Sequence, residues 1–311
     1  MSDGAVSATK TDTGDGRGGL AVVAGDAISR PRRSGPAPWH SPARERDRTT
    51  RRGGGVPLGF VPLAAVAVAF LTMPLIALLA RTPWGSLAAD ITAPGVLTAL
   101  RLSLTCSTGA LCLSLVFGVP LAWLLARVPF PGRNLVRALV VLPMVLPPVV
   151  GGVALLLAFG RRGLLGQWLD GLLGVTLPFS TLGAVLAETF VAMPFLVITV
   201  EAGIRAMDRR YEDASATLGA GRWRTFTRIT LPLIAPALAA GGALSWARAP
   251  GEFGATITFA GNLPGKTQTM PLAVYLALQN DAGAAVTLSL IMLGVSLVVL
   301  VALRGHWFPS R

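Results

Sequence analysis

The chain has 311 residues, of which 52% are hydrophobic and only 14% are charged, with a net charge of +12. A soluble globular chain carries about a quarter charged residues, so this composition excludes an ordinary water-soluble domain and points to a membrane protein. Two histidines, His40 and His306, and two cysteines, Cys106 and Cys112, are too few and too scattered for a metal site or a disulfide framework.

In chain order, the first element is a tail over residues 1–55 that is rich in Gly, Pro, Ser and Arg. Ten of the 27 Lys and Arg residues precede Leu58, together with six acids. The tail is too polar to bury a core and reads as disordered. Basic tails can bind nucleic acid or anionic lipid. Here the simpler role is a signal for cytoplasmic orientation, with membrane lipid and not nucleic acid as the neighbour. Arg51-Arg52 then precedes an uncharged run from Val56 to Ala80. That run exceeds the roughly 7–15 residues of a signal-peptide core, so it reads as a retained helix.

A spanning helix needs roughly 20 apolar residues. Six stretches meet this: Val56–Ala80, Leu102–Ala126, Ala138–Gly160, Gly171–Val200 if Glu188 is admitted, Ile229–Ala247 and Ala282–Leu303. The expected fold is therefore an all-α membrane protein with six transmembrane helices over residues 56–311. Cys106 and Cys112 fall inside the second stretch and are expected to be inert buried thiols. Pro143, Pro147 and Pro148 are placed to bend the third. Glu188 lies near the presumed outer end of the fourth and is expected to reach the headgroups or Arg161 and Arg162. With the amino terminus inside, 21 basic residues fall on the inner side against about 5 outside, which places both termini in the cytoplasm.

Between the fourth and fifth stretches lies MDRRYEDASATLGAGRWRTFTRITLP, Met207 to Pro232. YEDASATLG has helical character, Gly219 stops the helix, and a basic aromatic segment with Arg222, Trp223 and Phe226 follows. Two short helices about a glycine make a compact docking knob. Asp213-Ala214-Ser215, three residues, Gly219, nine residues and Ile229-x-Leu231-Pro232 together resemble the coupling loop of ABC importer permeases. That family's motif begins Glu-Ala-Ala, so Asp213 and Ser215 are conservative departures. The resemblance implies that the loop, about residues 207–228, seats in a groove of a separate ATPase subunit. Asp213, Ala214, Ser215, Gly219, Arg222 and Phe226 would form the coupling surface.

The segment WARAPGEFGATITFAGNLPGKTQTMPLAVY, Trp246 to Tyr275, combines charge with broken helix. Ala260-x-x-x-x-Gly265-Lys266-Thr267 approaches a phosphate-binding loop. A nucleotide site needs a soluble strand–loop–helix unit, and the chain has no such alternation. A charge at the bilayer centre costs roughly 2.5–3.5 kcal/mol and usually marks a pathway. Irregular backbone at that depth is tolerated only within protein or beside a cavity. The helix is therefore expected to turn at Pro250-Gly251, which makes an i,i+4 pairing of Arg248 with Glu252 doubtful. Glu252, Phe253, Thr256, Pro147 and Pro148 are the candidate path or gate residues. Glu252 is expected to pair with Arg248 across a dimer or to hold a gate shut.

Gly251–Thr256, Ala260–Asn262 and Gly265–Leu272 resemble permeases of molybdate and tungstate importers, within the binding-protein-dependent transport inner-membrane component family. Thr189–Phe195 and Leu142–Pro148 are also similar to that family, over roughly Leu97 to Leu303. The resemblance implies a homodimer, two copies of a cytoplasmic ABC ATPase and an extracytoplasmic molybdate-binding protein. ATP hydrolysis would belong to the partner, and this chain would need no cofactor and hold no catalytic residue. Two alternatives remain open: a sulfate or thiosulfate ABC permease, and an ion-coupled secondary transporter using Glu188 and Glu252 as proton carriers.

Overall fold

The structure is a computed structural model and describes residues 60–307, with the predicted tail outside them. Regular structure among the described residues is entirely helical. The helices are α1 (Phe60–Arg81), α2 (Leu87–Thr92), α3 (Pro94–Arg127), α4 (Arg133–Val145), α5 (Pro148–Phe159), α6 (Gly166–Leu173) and α7 (Thr181–Ala206). They continue with α8 (Arg210–Thr217), α9 (Arg222–Leu233), α10 (Ala235–Arg248), α11 (Gly254–Phe259), α12 (Met270–Asn280) and α13 (Ala282–Trp307). Four of these, α1, α3, α7 and α13, are long and apolar enough to cross a membrane among the described residues. A fifth span results if α9 and the helix after it, which meet at a 74° bend, count as one.

Prolines explain most of the departures from six uninterrupted spans. A proline removes one backbone donor and crowds the carbonyl four residues earlier. In α3 this strain is met by a π-helical turn at Ser114–Gly118, two residues before Pro120. The same device recurs in α9, where a π turn at Phe226–Thr230 precedes Pro232. The third predicted span is divided. Leu146 and Pro147 are both extended because each precedes a proline, and helices of 13 and 12 residues result. The fourth begins later than predicted. Gly171–Leu173 close α6, and Gly174 leaves it with φ of 62°. Ser180 then caps α7, its Oγ accepting from the Gly183 N–H at 3.1 Å.

The centre of the bundle is α7. Its apolar stretch is 67% buried, against 0% for α1. Leu196, Val197, Val200 and Ile204 pack with Leu125 of α3 and are fully enclosed. α1 instead presents Phe70, Met73 and its other large side chains outward. A helix that is apolar on all sides needs lipid or protein on all sides. Lipid tails are as apolar as leucine, so close packing and not exclusion from water must hold such helices together. Small residues supply that closeness: a Cβ on Gly203 would collide with the Ala237 Cβ. Hydroxyls inside α7 bond back to their own helix, Thr189 to the Val185 carbonyl at 2.6 Å and Thr199 to that of Phe195 at 2.8 Å.

Cys106 is buried as expected, beside Ala184 and Ala260, whereas Cys112 is exposed on the apolar surface, contrary to expectation. The spacing of six turns the two thiols to different faces of one helix.

Candidate functional site

The loop predicted to be a docking knob is two short helices locked at a right-sized turn. α8 ends in a Schellman arrangement: the Ala220 N–H donates to the Ser215 carbonyl at 3.1 Å and the Gly219 N–H to that of Ala216 at 3.0 Å. Gly219 takes φ of +78°, a conformation that costs a residue with a Cβ and costs glycine nothing. Ser215 is buried, and its hydroxyl lies 2.9 Å from that of Thr225 in α9. The serine that departs from Glu-Ala-Ala therefore ties the two helices together. Asp213, Ala214, Gly219 and Arg222 are exposed, as is Leu218, a large apolar side chain at 89% exposure. Phe226 is half-buried between Trp223, at 5.9 Å between ring centroids, and Trp123 of α3, at 6.3 Å edge-on. Of the six predicted coupling residues, four face outward, and Ser215 and Phe226 hold the knob in shape.

The second candidate region is the break after α10. A 3-10 turn at Ala249–Gly251 ends the helix, and Glu252 is extended. The predicted break is present, but the 3-10 turn continues the winding of the helix far enough that the i,i+4 pair survives it. Arg248 Nη2 donates to Glu252 Oε2 at 2.7 Å within one chain. The expectation that this pair forms across a dimer is corrected by that geometry. The other carboxylate oxygen accepts from the Ala255 N–H at 2.9 Å and so caps α11. Glu252 is 1% exposed, and its two oxygens hold a cation on one side and a helix start on the other.

α11 then lies against α5 with almost no space between backbones. A Cβ on Gly254 would come within 2.7 Å of the Pro148 Cβ, and one on Gly152 within 2.9 Å of the Ala255 carbonyl oxygen. This sets Pro148 against Gly254, within the run Glu252–Thr256, while Pro147 and Pro148 are both exposed at the start of α5. Phe253 meets Tyr275 in a tilted ring contact, 5.1 Å between centroids. Thr256 is fully buried, and its Oγ1 has no hydrogen-bond partner among the described residues.

Glu188 corrects another expectation. It is 1% exposed and points into the bundle, where Ser107 Oγ donates to it at 2.9 Å. It reaches neither headgroups nor Arg161, which instead lies 3.6 Å from Asp170. Glu188 does lie two turns from the start of α7 at Thr181, as expected, but on the face turned towards α3, so its partner is Ser107 and not the headgroups.

Sequence reasoning missed four polar contacts at the loop and the helix ends beside it. Arg127 Nε lies 2.9 Å from Glu212 Oε2. Thr230 Oγ1 donates to Glu212 Oε1 at 2.9 Å. Glu201 of α7 is held by Arg137 at 2.6 Å and by Arg205 at 2.8 Å. The signal for Thr230 was its place inside the motif, and for Glu212 its place directly before it. Arg127 carried none beyond its positive charge.

The near-miss phosphate loop has no strand before it. Residues 261–269 form turns, with the Lys266, Thr267 and Gln268 N–H groups all directed to the Leu263 carbonyl and so not free for a phosphate.

The family of binding-protein-dependent transport system inner membrane components matches residues 118–308, which include both candidate regions. The chain belongs to that family. Among relatives of this permease, the molybdenum transport system permease protein ModB of Mycobacterium tuberculosis is 45% identical over 248 residues, 79% of this chain and 94% of the relative. The sulfate transport system permease protein CysT of Escherichia coli is 39% identical over 238 residues, 75% and 86% of the two chains. A crystal structure of a bacterial ABC transporter that imports the acidic polysaccharide alginate shares the fold. Its TM-score is 0.63 at 22% identity, covering 81% of this permease and 95% of that chain.

Proposed function

We propose that this chain is the permease subunit of an ABC importer that moves molybdate, or tungstate, into the cell. The observation that carries the reading is the knob from Asp213 to Pro232: a rigid pair of short helices with exposed Asp213, Ala214, Leu218 and Arg222. In this reading two copies of a cytoplasmic ATPase grip two such knobs, and ATP-driven closure of that dimer moves them. A homodimer of the chain encloses the path, with six spans per copy over residues 56–311 and both termini in the cytoplasm. The divided stretch of α4 and α5 is then the third span. A molybdate-binding protein delivers the oxyanion outside, and access alternates between the two sides. ATP hydrolysis takes place on the partner. The region of Glu252, Phe253, Thr256, Pro147 and Pro148 lines or gates the path. Pairing with Arg248 neutralises Glu252, which would otherwise repel a dianion.

The higher identity to a molybdenum permease favours molybdate over sulfate, and the sulfate permease likeness keeps sulfate as the second reading. The two are separated by molybdenum content, measured by mass spectrometry in cells lacking the chain and every other molybdate importer, grown on trace molybdate with excess sulfate. Molybdenum content is expected to fall and to return with the wild-type chain. An undiminished molybdenum content together with lost sulfate uptake would move the assignment to sulfate.

Gly219→Pro, present in the membrane at the wild-type level, is expected not to restore molybdenum content. Proline cannot adopt φ of +78° and removes the N–H that Gly219 gives to Ala216. Gly219→Ala is expected to cost only about 1 kcal/mol of local strain, since no atom lies within 4 Å of the added Cβ, and to retain partial uptake.

A further inference from the structure

One carboxylate joins the loop to the bundle. Glu212, on α8, accepts from Thr230 Oγ1 at 2.9 Å through one oxygen and meets Arg127 Nε at 2.9 Å through the other. Arg127 is the last residue of α3, and its Nη2 also donates to the carbonyl of Met207, the residue after α7, at 3.3 Å. Thr230 is 1% exposed and is presented by the π turn before Pro232. Four segments therefore meet here: the ends of α3 and α7, helix α8, and the part of α9 that bends into α10. The Arg127 and Glu212 side chains are 9% and 19% exposed, so water and salt screen the pair less than they screen a surface pair. Among the described residues this is the one ion pair between α8 and a membrane-spanning helix. Four residues before Arg127, on the same face of α3, Trp123 makes a T-shaped contact with Phe226 and gives the joint an apolar wall.

From this geometry we propose that Arg127, Glu212 and Thr230 are positioning residues forming the joint through which movement of the knob reaches α3, α7 and α10. The proposal rests on the reading of the knob as the ATPase-binding element. A push on α8 can pass to α9 through the Ser215–Thr225 hydroxyl pair. It reaches α3 through Arg127, and the bend before α10 through Thr230. Without the joint, α8 and α9 would still hold each other and would still present the exposed docking residues. The knob would then move without carrying the spans with it.

The test uses the complete transporter, this chain with its cognate ABC ATPase and binding protein, in proteoliposomes loaded with ATP. Radiolabelled molybdate uptake and phosphate release are measured together. Glu212→Gln and Thr230→Val are expected to keep the ATPase bound through purification while molybdate moved per ATP falls about tenfold, within the usual range of coupling between sites. Thr230→Ser, which restores the hydroxyl, is expected to return the ratio to within about twofold of wild type. An unchanged ratio in both Glu212→Gln and Thr230→Val would overturn the proposal. So would loss of the bound ATPase in both, which would make the residues part of the docking surface. A wild-type chain that fails to hold any ATPase would instead overturn the reading of the knob itself.

Discussion

Glu252→Ala is expected to destabilise the protein by about 3–5 kcal/mol, the range for removing one partner of a buried ion pair. Two losses combine. Arg248 is left without its carboxylate, and α11 loses the acceptor for its Ala255 N–H. The Arg248 side chain is 30% exposed, so partial hydration places the effect towards the lower end of that range. Even about 3 kcal/mol lowers the melting temperature of a domain this size by roughly 6 °C or more. Glu252→Gln keeps an oxygen for the Ala255 N–H while removing the charge, so its melting loss is expected to be smaller. Its uptake is still expected to fall, because Arg248 is no longer neutralised. Thermal unfolding of the purified protein in detergent, with uptake in cells, separates the two. An alanine variant that melts with wild type would mean that the pair carries no structural load.

Gly152→Val is the second large effect. A Cβ there would lie 2.7 Å from the Thr258 Cβ and 3.0 Å from the Ala255 Cα. Two of the nearest atoms are backbone of α11 and cannot rotate away, so the two helices must part. Overpacking of this kind costs roughly 1–3 kcal/mol, and here it also displaces Glu252 at the head of α11. The expected outcome is a lower melting temperature and lost uptake, and Gly152→Ala should already show part of both. Gly171→Val is the control: no atom lies within 4 Å of its Cβ, and stability should change by no more than about 0.5 kcal/mol. Equal effects at both glycines would show that the approach of α5 to α11 is not what limits the site.

These two sites show how legibility divides. The break at Pro250-Gly251 was readable because proline and glycine act on their own backbone. The survival of the Arg248–Glu252 pair across the break was not, because it depends on how far the 3-10 turn continues the winding of the helix. Gly219 was readable for the same local reason as Pro250, and its spacing from Ile229-x-Leu231-Pro232 carried the family resemblance. Glu212, the residue next to the recognised motif, was passed over because its partners lie 85 residues earlier and 18 later in the chain, at Arg127 and Thr230. Glu188 was misplaced because the face of α7 it occupies is set by packing against Ser107, 81 residues earlier in the chain. Separately, hydropathy runs through the turn at Gly174–Ser180 without a mark. Only the cap at Ser180 sets where α7 begins.

By itself, the amino-acid sequence determined the solvent, the helical class, the breaks at Gly219 and Pro250-Gly251, and the family. Each follows from composition or from residues within a few positions of one another. The tertiary structure alone decided which acids are buried against which partners, which thiol faces outward, and how α5 and α11 come to touch. In a bilayer, apolar helices gain little from leaving one another's lipid. Their arrangement is therefore set by close contact at a few glycines and by a handful of paired charges, whose partners are remote in the chain and become visible only when it is folded.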